Sequence, residues 1–232
     1  MADPELSILI AARDEEVLLP GCLASVAGQD LAPGRAEAVV IANGCADRTA
    51  EIARAWAVEH PGVPTTVLEL PEGNISAALN AGVATARGRY VVIVDADSRM
   101  EPHLARRILE RAAEGSPAGT IRIRADSADR LDQAYFDLFE LGKRRGSLGM
   151  MFYAERDALI AAGGFDPALR LGADLVTQKA LIARGVTFRH IDDAAILTST
   201  RRIRSLPFRI GMVTMFVRWT LCAMGIGRTR PY

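Results

Sequence analysis

Aromatic residues are scarce in this sequence, at 6% of 232 positions, so a sizeable core must be built mainly from Ala, Val, Ile and Leu. Cysteine is scarcer. Cys22, Cys45 and Cys222 stand far apart, with no CxxC or Cys/His ligand spacing, which argues against a disulfide framework or a zinc site and suits a reducing compartment. Neither charge is in excess, since 28 basic residues balance 28 acidic ones. A whole-chain electrostatic case for nucleic acid is therefore missing, and no nucleic-acid partner is expected. Acid is absent from the end of the chain. After Asp193 come Arg201, Arg202, Arg204, Arg209, Arg218, Arg228 and Arg230 with no Asp or Glu, a tail suited to an anionic surface or substrate, or simply to solvent. The opening MADPELSILIAARDEE lacks the basic start and apolar run of a signal peptide. The expected location is the cytoplasm, with the inner face of the membrane open to the C-terminal segment.

The first hundred residues alternate between short apolar runs and helix-like stretches. Leu6–Ala12, Ala36–Ala42, Thr65–Leu70 and Tyr90–Val94 read as strands. Between them, Glu15–Ala27, Asp47–Glu59 (with Asp47 as N-cap) and Ser76–Arg87 read as helices. Strands this apolar belong to a parallel sheet covered on both faces, so the order predicts a doubly wound α/β half. Beyond it, helices are expected over Pro102–Glu114, Ala128–Arg145 and Leu175–Arg184. Further strands are expected at Gly119–Arg124, Ser147–Ala154, Thr187–Ile191 and Ala195–Thr198. Ile210–Ile226 is apolar apart from Arg218 and two threonines. It is short for a membrane span and charged near its middle. A helix packed on the domain or a second subunit, and an amphipathic helix lying on a membrane, both remain open.

Ligands of open parallel sheets bind beyond the carboxyl ends of the strands. Three polar clusters are predicted there: Ala11-Ala12-Arg13-Asp14-Glu15, Asn43-Gly44-Cys45-Ala46-Asp47, and Asp95-Ala96-Asp97. Two carboxylates as close as Asp95 and Asp97 repel unless a cation or proton sits between them. Oxygen ligands on a rim suit Mn²⁺ or Mg²⁺ with positions left for diphosphate oxygens. Alone, an Asp-x-Asp reads more readily as a solvated turn, with Asp97 or Ser98 capping the helix near Pro102. Directly behind a buried strand it points to a metal.

At these residues the chain resembles the family-2 glycosyltransferases of the GT-A fold. LSILIAARDEE is similar to that family's opening strand and acidic loop, and VVIANGCADRTAEIA to its second strand, glycine turn and helix. NISAALNAGVATARGRYVVIVDADSRMEP resembles the stretch ending in the metal-binding DxD, and GGFDPALRLGADLVTQKALIARG the acceptor-side segment. The resemblance covers roughly residues 5–200 and implies a three-layer α/β/α GT-A domain over 1–205. Within it, 1–98 would form the Rossmann-like nucleotide-sugar half with its mostly parallel sheet, and 99–205 the acceptor half. Residues 206–232 would form a C-terminal helix and tail.

By position, the resemblance implies that Ala11, Ala12, Arg13 and Glu15 line the base and ribose, with Asn43 a further contact to the base. Asn80, Asp95 and Ala96 would lie near the ribose and diphosphate, Asp97 would join Asp95 at the metal, and Asp174 would be the general base. Asn43 replaces the usual acid of the second motif, Ala173 leaves one carboxylate of an acidic pair, and Ile75 stands where many relatives have lysine. No QxxRW motif is present. Arg201 and Arg202 occupy the corresponding region and are candidates to neutralise the leaving diphosphate.

The implied activity is metal-dependent, inverting transfer of a sugar from a nucleotide-sugar to a hydroxyl acceptor, with peripheral membrane contact or a homodimer as open partner expectations. A sugar-phosphate nucleotidyltransferase would need a Gly-rich basic loop after strand one, which AARDEE does not supply. A non-catalytic nucleotide- or partner-binding module is the other alternative.

Overall fold

The structure is a computed structural model that describes residues 3–144, 149–169, 171–204 and 210–226. Its elements in chain order are β1 (Leu6–Ala12), α1 (Leu19–Ala27), β2 (Ala36–Asn43), α2 (Thr49–Glu59), β3 (Thr65–Leu70), α3 (Ile75–Thr85), β4 (Tyr90–Asp95), β5 (Ser98–Met100) and α4 (Leu104–Ala113). They continue with β6 (Ala118–Ala125), α5 (Arg130–Arg144), β7 (Phe152–Glu155), α6 (Arg156–Ala161), α7 (Ala173–Ala183), β8 (Ile191–Thr198), α8 (Arg201–Arg204) and α9 (Ile210–Ala223).

The described strands form one sheet in the order β3-β2-β1-β4-β7-β6-β8-β5. The first four pair in parallel, as their apolar sequences predict, because helix crossovers bury both faces. β7 runs antiparallel to β4 and β6, and β5 antiparallel to β8. Alternate residues of each strand feed two cores. On one face Ile8, Ile10, Val40 and Val92 pack with Leu23 of α1, Trp56 of α2, Ile108 of α4 and Phe136 of α5. On the other, Leu9, Val39, Ile41 and Val91 pack with Leu79 of α3, Leu159 of α6, Leu181 of α7 and Phe165. The result is a three-layer α/β/α architecture.

Several expected boundaries shift for local reasons. α1 starts at Leu19, four residues later than expected, because the Glu15 carbonyl accepts the Leu18 and Leu19 N–H groups in a preceding turn. α2 starts at Thr49 with Arg48 in the capping position, so Asp47 is not the N-cap. Its carboxylate instead binds the N–H groups of Thr49 and Glu16, both at 2.9 Å, and so ties the turn after β1 to the turn after β2. Of the two short strands expected over 187–198, the second lies within β8. Of the first, only Ile191 joins it, and Phe188 forms an isolated bridge to Ala118. β8 itself has an irregularity where Ile121 pairs with Ile191 but Arg122 with Ala195. The strand expected over Ser147–Ala154 begins only at Phe152. Ser147, Arg209, Arg228 and Arg230 lie outside the described residues. β5 was not expected: three residues carry no periodicity, and only pairing with β8 defines the strand.

α9 packs Met212 and Met215 against the first core, with Phe216 edge-on to Phe139 of α5 at 6.0 Å. Ile210, Val213, Val217 and Leu221 remain exposed on the helix. No helix among the described residues is long and apolar enough to cross a membrane.

Candidate active site

The parallel register sets the rim. Ala11 lies opposite both Ile41 and Asp95, Ala12 opposite Ala42, and Asn43 opposite Leu70. The ends of β1, β2 and β4 are therefore level, and the three polar clusters predicted from sequence share one edge. Ala12 and Ala96 bury their methyl groups in the first core. Their contribution at the rim is backbone.

Glu15, Asp95, Asp97 and Asp174 form an acidic centre. Burial pushes the Asp95 carboxyl up to about 6, with repulsion from Asp97 adding to it, while Arg202 opposes the shift and the charges of Asp174 and Glu15 raise it further. Burial also raises Glu15, against a contact with Arg201 that pulls it down. Asp174 lies in the first turn of α7, whose capping residue Gly172 is in the left-handed conformation. Burial raises its carboxyl, and the N–H groups of Leu175 and of Asp174 itself, then Lys143, pull it back. Asp95 thus feels the charge of Asp174, although one closes β4 and the other lies in the first turn of α7.

Arg201 brings a cation against two of these carboxylates. Its guanidinium contacts the Glu15 carboxylate and lies 3.6 Å from Asp97 Oδ2. The strand pairing explains its position. Ser98, next to Asp97, pairs with Thr198, and the Ser98 hydroxyl donates to Thr198 Oγ1 at 2.9 Å. The Ser199 N–H then donates to the Asp97 carbonyl at 3.1 Å, so the chain reaches α8 directly beside the DxD. Arg204 fixes the far end of α8, donating to Asp132 Oδ2 at 2.9 Å and to the Ser127 hydroxyl at 2.9 Å.

The residues present suit a hard divalent cation. Glu15 Oε2 is buried with no hydrogen-bond partner among the described residues. The Asp95–Asp97 pair holds like charges close enough to raise one of them. Carboxylates in this condition gain from a cation. Asp14, Cys45 and Asp47 also bring ligand atoms within 4.8 Å of one another. There, however, the Ala46 N–H already donates to Asp14 Oδ1 at 2.8 Å, and both Asp47 oxygens are engaged.

Asn80 is held to the loop before α7. Its amide donates to the Phe165 carbonyl at 2.7 Å and accepts the Phe165 N–H at 2.8 Å. Thr177 of α7 donates to the Gly164 carbonyl at 2.8 Å. The Gly163–Asp166 loop is thereby tied to α3 on one side and to the first turns of α7 on the other. Sequence reasoning did not single out Asn74, whose side chain caps α3 by accepting the Ala77 N–H at 3.1 Å and whose own N–H is accepted by Asn43 Oδ1 at 2.9 Å. An Asn immediately before a helix-forming run was the available signal.

A profile described as "Glycosyl transferase family 2" matches residues 7–164. The undecaprenyl-phosphate 4-deoxy-4-formamido-L-arabinose transferase of Pseudomonas aeruginosa is 38% identical over 132 residues, which are 56% of this chain and 38% of the relative. The chain thus spans well under half the length of that relative. Among solved structures, residues 1–349 of S. aureus TarS in complex with UDP superpose with a TM-score of 0.71 at 20% identity, covering 84% of this chain and 60% of that one. The mannosyltransferase PcManGT from Pyrobaculum calidifontis, in complex with GDP-Man and Mn²⁺, superposes with a TM-score of 0.68 at 22% identity, covering 94% and 65%. At these identities the structural likeness establishes the fold, which is GT-A.

Proposed function

Because the chain belongs to glycosyl transferase family 2, we propose that the rim binds a nucleotide-sugar with a divalent metal, Mn²⁺ or Mg²⁺, and transfers the sugar to a hydroxyl acceptor with inversion. The observation that carries the reading is the convergence of Glu15, Asp95, Asp97 and Arg201 at the level ends of β1 and β4. Asp95 and Asp97 would hold the metal, whose charge when bound offsets that of the diphosphate.

The residues of the chain then divide the work. Arg13 and Asn43 meet the base, with Glu15 and the backbone of Ala11, Ala12 and Ala96 beside the ribose and diphosphate. Arg201 and Arg202 stabilise negative charge as it grows on the leaving nucleoside diphosphate. Asp174 takes the proton of the acceptor hydroxyl while the oxygen attacks the anomeric carbon from the face opposite the leaving group. Asn80 serves that acceptor side through the loop it holds. The exposed stripe of α9 suits a bilayer surface on which a lipid-borne acceptor would be presented, in keeping with the lipid carrier in the Pseudomonas relative's name.

The test is release of free nucleoside diphosphate from a panel of nucleotide-sugars in the presence of Mn²⁺. Turnover that needs the metal and disappears in Asp97→Ala supports the reading, and its absence across the panel opposes it.

A further inference from the structure

Lysine is almost missing from this chain. Of its 28 basic residues only Lys143 and Lys179 are lysines. Lys179 is exposed on α7, whereas the Lys143 side chain is only 7% exposed. Arginine fills the remaining basic positions, so a single buried lysine calls for a reason. Its charge, unlike that of arginine, yields to its surroundings. We propose that Lys143 is the positioning residue for Asp174, a buried ammonium that keeps the Asp174 carboxylate ionised and ready to take the acceptor's proton. This rests on the reading of Asp174 as the base, and it adds the group that sets the charge of that base.

The fold brings the two residues to one short segment. β7 pairs with β6 only as far as Thr120, while β6 runs on to Ala125. Side chains of α5 serve the uncovered edge. Lys143 Nζ donates to the Ile121 carbonyl at 2.7 Å, and the Ile123 N–H donates to Glu140 Oε1 at 3.0 Å. Lys143 also donates to the Met150 carbonyl at 3.5 Å. The Gln178 amide grips the adjacent residue, accepting the Gly149 N–H at 3.2 Å and donating to the Gly149 carbonyl at 3.1 Å. Gln178 is fully buried and stands four residues after Asp174 on α7, so the two share one face of that helix. Gly149-Met150 therefore joins the ammonium to the face of α7 that carries Asp174.

A neutral donor would satisfy the Ile121 carbonyl without the cost of burying a charge. Burial takes the Lys143 ammonium down to about 8, against the pull of Glu140 and then of Asp174. Glu140 is not a close partner. Its Oε1 stands 3.7 Å from Nζ and is held by the Ile123 N–H, while its Oε2 lies 3.0 Å from His190 Nε2. His190 Nδ1 is in turn 2.9 Å from the Thr120 hydroxyl. The charges facing Lys143 are thus Glu140 on its own helix, with His190 behind it, and Asp174 on α7. Asp174 is coupled to Lys143 and to Asp95. Burial favours its protonated form, and Lys143 is the side-chain cation that joins the first-turn N–H groups in opposing this.

Two lysines give two signals, so Lys143 can be titrated directly in the full chain labelled with carbon-13 at lysine Cε, without metal or nucleotide. Its midpoint is expected at about 8. Asp174→Asn removes the facing carboxylate and should lower that midpoint by about half a pH unit or more. Lys179→Arg assigns the signals and should leave it unmoved. Lys143→Gln keeps a donor for Ile121 and removes the charge. Asp174 then gives up its proton only at higher pH. In saturating Mn²⁺, the acid limb of nucleoside-diphosphate release from a nucleotide-sugar should therefore move up by about half a pH unit or more. An unmoved Lys143 midpoint in folded Asp174→Asn would overturn the proposal, as would turnover in Lys143→Gln that falls equally at every pH. The titration needs no Lys143 variant, so it decides the matter even where Lys143→Gln does not fold. If Asp174→Asn shifts the midpoint but keeps wild-type turnover, the base reading fails and this role with it. An unmoved midpoint beside lost turnover sinks the inference about Lys143 alone.

Discussion

The guanidinium of Arg201 rests against the carboxylate of Glu15, a residue 186 positions earlier in the chain, and reaches to 3.6 Å from Asp97. An arginine thus neutralises carboxylates that the proposed reaction assigns to the donor and its metal. Arg201→Ala should leave Glu15 buried without its cation, at a cost of about 1–3 kcal/mol. The midpoint of thermal unfolding in EDTA is expected to fall by several degrees. Mn²⁺ should then raise it more in the variant than in the wild type, since no guanidinium competes for the carboxylates. Equal Mn²⁺ shifts would count against this competition.

Asp95 makes the apo protein less stable at neutral pH than an uncharged residue would. Its carboxyl is raised from 3.8 to about 6, chiefly by burial. Between those values the folded state keeps a proton that the unfolded chain has lost, so stability falls as pH rises through that window. Above it, both states are ionised and the whole cost remains. Asp95→Asn should therefore raise the melting midpoint at pH 7.5 by roughly 3–8 °C in metal-free buffer. The advantage should shrink toward pH 4, and nucleotide-sugar turnover should be lost. Melting curves across pH, without metal, provide the check.

Asp174→Asn keeps the size and first-turn position of the side chain but cannot accept the acceptor's proton. Transfer is expected to fall by about 10²–10⁴-fold, with binding of the nucleoside diphosphate retained. Wild-type transfer in this variant would remove Asp174 from the role of base. An acceptor that arrives already ionised, such as a phosphate, would then become the better reading.

Asn80→Ala breaks both hydrogen bonds to Phe165. A loss of about 1–3 kcal/mol in stability is expected. Because the loop also anchors α7 through Thr177, the KM for acceptor should rise more than the KM for donor. A purely donor-side effect would instead place Asn80 against the nucleotide.

The exposed stripe of α9 predicts binding to anionic vesicles that weakens as salt rises, because apolar insertion and arginine attraction act together. Val213→Glu with Val217→Glu should abolish co-sedimentation while leaving soluble turnover intact. A concentration-dependent dimer without vesicle binding would assign this face to a second copy of the chain.

Much of the first hundred residues was legible because their signals are local. β1 matched its expected limits, and β4 extended by only one residue, since continuous β-branched runs between helices admit little else. The level rim followed from that alternation, as parallel strands of similar length end together. The remainder of the chain was less legible. β5 has three residues, α6 has six, and β8 is interrupted in its pairing, so each depends on partners far along the chain. Asn80 shows the same limit within the candidate site. Its hydrogen-bond partner lies in a loop 85 residues away, which no local pattern specifies.

The sequence by itself determined the α/β alternation, the buried strands, the carboxylates at their ends and the family. These depend on periodicity and on residue types at fixed short spacings. Tertiary structure alone decided that β5 pairs with β8 and so delivers Arg201 to Glu15 and Asp97. It also decided that the Asn43 side chain accepts the Asn74 N–H. Both outcomes rest on hydrogen bonds between distant residues, whose partners no local pattern specifies.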